Sequence, residues 1–113
     1  MIHLKNSEEI EKMRESALLV SRTLAEVAAM LRPGLATIAI DKFIGEFLSD
    51  HQAAPSFLNY HGYPFNSCVS VNDVVVHGFP GKYELREGGR IRPVAFNSAP
   101  ACCSPWCFRS ALL

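Results

Sequence analysis

A short stretch in the middle of the sequence holds the side chains best placed to do chemistry. His77 ends the apolar run Val74-Val75-Val76 and precedes Gly78. A buried strand that closes there would set an imidazole at a sheet edge, where clefts open; a ring satisfied by a backbone carbonyl is the plainer alternative. Cys68 opens the run Cys68-Val69-Ser70-Val71, where a small side chain packs, so a buried thiol is its plain reading. Activation of that thiol by His77 is conceivable, yet no third group that would orient the histidine is evident. Tyr60, His61 and Tyr63 sit in an aromatic loop that starts near Phe57, either a packed surface loop or the wall of a pocket. Cys102, Cys103 and Cys107 are poorly spaced for pairs of zinc ligands, and no histidine follows to complete a tetrahedron.

Two helices must carry this stretch. Ile10, Met13, Ala17, Val20, Leu24, Val27 and Leu31 recur at alternating spacings of three and four, one stripe on a helix, with Glu11, Lys12, Glu15, Arg22 and Glu26 off it. Asn6 or Ser7 can cap its start, and Glu8 and Glu9 complement the helix dipole. Arg32-Pro33-Gly34 ends it. The stripe is too short for a convincing coiled-coil seam and reads as a core face. Thr37 can cap a second helix that buries Ile40, Phe43, Ile44, Phe47 and Leu48, closed by Ala53-Ala54-Pro55. Beyond the aromatic loop, Cys68–Val71 and Val74–Val76 read as a β-hairpin around Asn72-Asp73, broken by His77-Gly78-Phe79-Pro80.

After Glu87 the patterning stops. From Gly88 to Leu113 there is no aspartate, glutamate, lysine or histidine, and three of the four cysteines and three of the seven prolines fall there. Neither a helical nor a strand period survives, so the expected division is a folded domain over residues 1–88 and an unpatterned tail over 89–113, outside the fold and from a shifted reading frame. The whole chain, at 113 residues, is one domain at most. Eleven basic residues balance eleven acidic ones, which gives no electrostatic reason to expect a nucleic acid or an anionic membrane as partner. The polar, acidic start is unlike a signal peptide, no run approaches membrane-spanning length, and a reducing cytoplasm with free thiols is the expected compartment.

Taken together, these blocks resemble a known family. Asn6-Ser7-Glu8-Glu9-Ile10-Glu11-Lys12-Met13-Arg14, then Arg32-Pro33-Gly34, then the run from Pro55 to Pro64, then Ser67 through His77-Gly78-Phe79-Pro80, follow the order and spacing of type I methionine aminopeptidases. The last block is the most specific. The resemblance implies an α/β chain, the N-terminal half of the pseudo-symmetric pita-bread fold with two helices, an aromatic loop and a β-hairpin, followed by an irregular tail. It implies a cytoplasmic, usually monomeric hydrolase, a metalloprotease that removes the initiator methionine from nascent polypeptides at the ribosome. In the complete enzyme two divalent metal ions (cobalt, manganese, iron or zinc) activate a bridging water. By the same resemblance His77 is the catalytic residue that contacts substrate beside the scissile peptide, while Tyr60, Tyr63 and Cys68, with Phe57 beside them, line the methionine pocket.

The sequence also departs from that family. There, Glu87-Gly88 would lead to an aspartate and a strand bearing the first metal-binding aspartate; a further aspartate, a histidine and two glutamates would follow. Here Gly89 and Arg90 follow, and no carboxylate or imidazole side chain occurs beyond Glu87. Divalent ions that activate water need such ligands in a fixed cluster. The expectation is therefore a fragment that binds no metal at a catalytic site and is inactive alone. The rival expectation is a small non-catalytic module that binds a partner through the Ile10–Leu31 stripe.

Overall fold

A computed structural model describes residues 2, 4–95 and 97–98, the last two by their backbone alone. The cysteine cluster and the rest of the expected tail from 99 to 113 lie outside the described residues.

Helix α1 spans Ser7–Met30. Its start is built as expected: Asn6 accepts from the Glu9 amide at 2.8 Å, while the Glu9 carboxylate accepts from the Asn6 amide at 2.9 Å. Two backbone donors that would otherwise be orphaned are thereby satisfied. The buried face is narrower than the stripe suggests. Val27 and Thr23 are fully buried, Thr23 returning its hydroxyl to the Leu19 carbonyl, whereas Ile10 and Ala17 face solvent. Among the described residues the fully buried member of the stripe, Val27, lies in its C-terminal half, where Leu31 also packs on the core, so that half is committed to packing.

Helix α2 spans Thr37–Asp50 and carries the core. Ile40, Ile44 and Leu48 are wholly buried, with Phe43 and Phe47 half-buried beside them. Each fully buried aliphatic side chain contributes about 1.5–3 kcal/mol. With Val27, Ala53, Val69 and Ala95, the residues Ile40, Ile44 and Leu48 form one cluster, against which Phe43 packs. Thr37 does not cap α2 through its side chain. Its hydroxyl accepts from the Gly81 amide at 2.9 Å and donates to the Gly81 carbonyl at 3.1 Å, which fixes the segment 81–85 along residues 34–38. Backbone bonds from Gly34 to Leu85 and from Thr37 to Tyr83 extend that seam.

The strands depart from the expected hairpin. Strand β1 (Ala54–Pro55), β2 (Cys68–Val71), β3 (Ile91–Val94) and β4 (Asn97–Ser98) make two antiparallel pairs, β1 with β4 and β2 with β3. The turn at Asn72-Asp73 forms, closed by a Val74 amide to Val71 carbonyl bond of 3.1 Å, but Val74–Val76 is not a strand. The reason lies on β2. One edge is taken by β3; on the other, the Val69 amide donates to the Gly78 carbonyl at 2.8 Å and the Gly78 amide donates to Ser70 Oγ at 3.1 Å. The valines are left on an outward loop, Val75 being 74% exposed. Paired structure also runs past the boundary expected at Gly88, since β3 and the buried Ala95 follow it.

Gly78 can lie this close only because it lacks a side chain. A Cβ there would run into the Val69 carbonyl oxygen and sit 2.8 Å from Ser70 Cα, both backbone atoms. Gly78→Ala is therefore expected to destabilise the chain by about 1–3 kcal/mol, as overpacking does. Urea denaturation followed by circular dichroism measures this, and a loss below about 0.5 kcal/mol would show that the contact yields freely.

Candidate functional site

The aromatic loop folds back on itself before it reaches β2. Asn59, His61 and Gly62 take left-handed conformations (φ 64, 47 and 78°). The Asn59 amide donates to the Tyr63 carbonyl at 2.8 Å, and the Tyr63 amide to the Tyr60 carbonyl at 2.9 Å. Asparagine and glycine tolerate that region, and histidine more than most residues. This knot turns Tyr63 inward, where its hydroxyl donates to the Ser67 carbonyl at 2.9 Å.

Around Tyr63 the rings gather. Phe57 lies 5.9 Å away, Phe65 5.9 Å and Phe79 5.2 Å, and Phe65 meets Phe79 at 5.6 Å. The last three contacts are edge-to-face, the arrangement in which ring quadrupoles attract. Cys68 is buried beside them, with its Sγ 3.9 Å from His77 Nδ1. His77 itself is held at φ 55°, a left-handed conformation that costs a non-glycine residue about 1–3 kcal/mol. The bonds of Gly78 to β2 impose it.

Of the site residues expected from sequence, Tyr63, Cys68, His77 and Phe57 come together. Tyr60 stands at the edge: its ring packs edge-on against His61 at 4.4 Å and it is 55% exposed. Phe65 and Phe79 join the ring group without having been singled out. Their sequence signal was weak, a phenylalanine beside a proline in each case and no period linking them.

The electrostatics decide between two chemistries for Cys68. Burial pushes its thiol above the ordinary range; the Tyr63 phenol pulls it back, and the charge of Asp41 raises it again. Tyr63 is raised too, by burial first, then by the Cys68 thiol and by Asp41. A thiol shifted upward stays protonated at neutral pH, and the thiolate is the nucleophile. The conceivable Cys68–His77 nucleophilic pair is therefore in contact but not activated. The wall is a neutral thiol among aromatic rings, suited to binding. Metal ligation fits no better. Among the described residues, no three histidine, cysteine, aspartate or glutamate side chains converge on a point.

Comparison with known proteins places this geometry. Residues 11–92 match the family model described as metallopeptidase family M24. The chain belongs to metallopeptidase family M24. Within M24, it is 44% identical over 88 residues to the methionine aminopeptidase of Clostridium perfringens, covering 78% of this chain and 35% of that one. The crystal structure of methionine aminopeptidase from Thermotoga maritima superposes with a TM-score of 0.85 at 33% identity, covering 88% of this chain and 41% of that one. That from Rickettsia prowazekii gives 0.84 at 30% identity, covering 86% and 39%. The M24 chain described here thus spans about a third of the length of the curated relatives it matches, and it carries the N-terminal part of the pita-bread fold. None of its described helices is long and apolar enough to cross a membrane.

The raised thiol has a consequence for stability. A group whose pKa is higher folded than unfolded holds more protons in the folded state between the two values, so stability falls as pH rises through that window. Stability from Cys68 is complete below the ordinary thiol value of about 8.5 and declines above it, with a slope of at most about 1.4 kcal/mol per pH unit. Tyr63 adds a decline of the same sign above about pH 10. Urea denaturation from pH 7 to 10 is expected to show the first decline, and Cys68→Ala to flatten it. A decline unchanged in Cys68→Ala would assign it to another group.

Proposed function

We propose that this chain forms the substrate-binding side of a methionine aminopeptidase. Phe57, Tyr63 and the Cys68 thiol wall a pocket for the initiator methionine side chain, Tyr60 stands at its rim, and His77 meets the peptide next to the scissile bond. The observation that carries this reading is the contact of Cys68 with a conformationally strained His77 beside the Tyr63 ring group. A thioether is matched by such a wall, because each sulfur–aromatic contact is favourable by about 0.3–1.5 kcal/mol. The exposed apolar loop at Val74–Val76 adjoins the histidine, and exposed apolar patches mark places where other surfaces bind. The substrate is a nascent polypeptide N-terminus, and the cytoplasm is the compartment in which such chains are processed.

The same reading assigns a partial methionine aminopeptidase domain to residues 1–88, extended by the paired strands β3 and β4. The metals of the family find no ligand cluster among the described residues, so turnover by this chain alone is not expected. In the complete site His77 supplies one donor, a ring N–H directed at the oxygen on which charge develops.

The test joins residues 1–88 to the C-terminal part of the Clostridium perfringens relative. In that hybrid, His77→Ala is expected to lower kcat roughly 100- to 1,000-fold, the usual loss for one such donor. Metal content and Tm should stay unchanged, and His77→Asn should recover part of the rate through its amide. Loss of metal or of folding without a specific rate effect would make the histidine structural and overturn the assignment.

A further inference from the structure

Asp41 is a buried carboxylate with no lysine or arginine paired to it among the described residues, at 4% exposure. Burial of an ionised carboxylate costs several kcal/mol unless its oxygens are fully hydrogen-bonded. Here Oδ1 accepts from the Ser67 amide at 2.8 Å and from Ser67 Oγ at 2.6 Å. Oδ2 accepts from the Asn66 amide at 3.3 Å and from Asn66 Nδ2 at 3.1 Å. Asn66 Nδ2 also donates to the Asp41 carbonyl at 3.3 Å. Among the described residues every donor to the carboxylate comes from two consecutive residues of the site loop. These charge-assisted bonds are individually stronger than neutral ones.

The seat is shaped for this. Gly45, one turn further along α2, lies so close to Asn66 that a Cβ would sit 2.7 Å from Asn66 Nδ2. The chain then leads straight into the pocket: the Ser67 carbonyl receives the Tyr63 hydroxyl, and Cys68 is the next residue. The charge of Asp41 is also felt at both side chains, raising each.

We propose that Asp41 is a positioning residue: from α2 its carboxylate fixes Asn66 and Ser67 and thereby holds Tyr63 and Cys68 in front of His77. The role as a pocket determinant rests on the function proposed above; the mechanical link does not, and it is tested without substrate. In the full chain, alkylation by N-ethylmaleimide is followed cysteine by cysteine using peptide mass spectrometry. Asp41→Asn puts an amide N–H₂ where donors already point, so Cys68 alkylation is expected to accelerate by about tenfold or more. Ser67→Ala, which keeps the Asp41 charge that raises the thiol, should accelerate it too, local opening having become easier in both. Helical circular dichroism should be retained, while near-ultraviolet dichroism from the ring group weakens. Gly45→Ala, which displaces Asn66 alone, should give about a threefold acceleration. Val27→Ala, a core truncation in α1, is the control for general loosening.

A Cys68 rate in Asp41→Asn within about twofold of the parent, or one matched by Val27→Ala, overturns the proposal. If Asp41→Asn fails to fold, Gly45→Ala and Ser67→Ala decide: acceleration of Cys68 in both supports the positioning role of Asp41, and parental rates in either overturn it. A failed His77 test in the hybrid would remove the pocket reading and leave these rates intact.

Discussion

A bare Cα pressed against a strand backbone sets the geometry of this molecule. Because Gly78 has no side chain, its carbonyl reaches the Val69 amide and its amide reaches Ser70 Oγ, so β2 is bonded on both edges. The chain between Val71 and Gly78 must then leave the sheet and return within a few residues. It does so by adopting left-handed conformations at both ends, φ 51° at Asn72 and 55° at His77. Asn72 is suited to that role and is held further, its Oδ1 accepting from the Arg90 amide and its Nδ2 donating to the Tyr83 hydroxyl. Among the described residues His77 is held through its side chain by one long contact alone, Nδ1 to Cys68 Sγ at 3.9 Å. Its strain is sustained by the neighbouring glycine, and the result is an imidazole beside Cys68 rather than in a ladder.

What was legible in the sequence, and what was not, divides along the range of the interactions. The helices were legible because their signals are local: the Asn6–Glu9 box, and the recurrence of Ile40, Ile44 and Leu48. Val74–Val76 misled for a local reason too, since three β-branched residues favour a strand only if an edge is free to receive them. The edge was already occupied by Gly78. Strand β3 was hidden because its run Ile91-Arg92-Pro93-Val94 contains a proline and two arginines lie in or beside it. Asp41 carried no sequence signal, being an ordinary acid beside a core position. Its role exists only through Asn66 and Ser67, about 25 residues away. Tyr63, Cys68 and His77 each stood out by residue type, but only the resemblance joined all three, since no spacing rule brings a loop tyrosine, a strand thiol and a loop histidine together.

Charge determines what the assembled site can do. A thiol touching an imidazole suggests nucleophilic catalysis, but that chemistry needs a thiolate, and burial and the nearby Asp41 carboxylate both oppose one. Asp41 is held by hydrogen bonds rather than by a cation among the described residues, and its charge is one of the causes that raise Cys68 and Tyr63. Burial first, and Asp41 after it, raise both side chains and favour their neutral forms. A neutral thiol, a neutral phenol and phenylalanine rings make an apolar wall whose polar atoms are turned inward to protein partners, the Tyr63 hydroxyl to Ser67 among them. Burial of the wall, with the Asp41 carboxylate adding to it, keeps that inner surface uncharged.

The core and the site are held by different forces. On the α2 side, Ile40, Ile44, Leu48 and Val27 interlock by close packing, which resists change everywhere at once. The loop from Phe57 to Ser67 has little of that. Phe57, Tyr63 and Phe65 are half-buried, and Phe79, which closes the ring group from beyond β2, is 65% exposed. The loop is fixed instead by its internal backbone bonds and by donors converging on one carboxylate. Packing energy is spread over many contacts, whereas this anchorage runs through two residues, Asn66 and Ser67. The site loop can therefore open while the core stays closed, a separation of local from global stability that follows from which force holds each part.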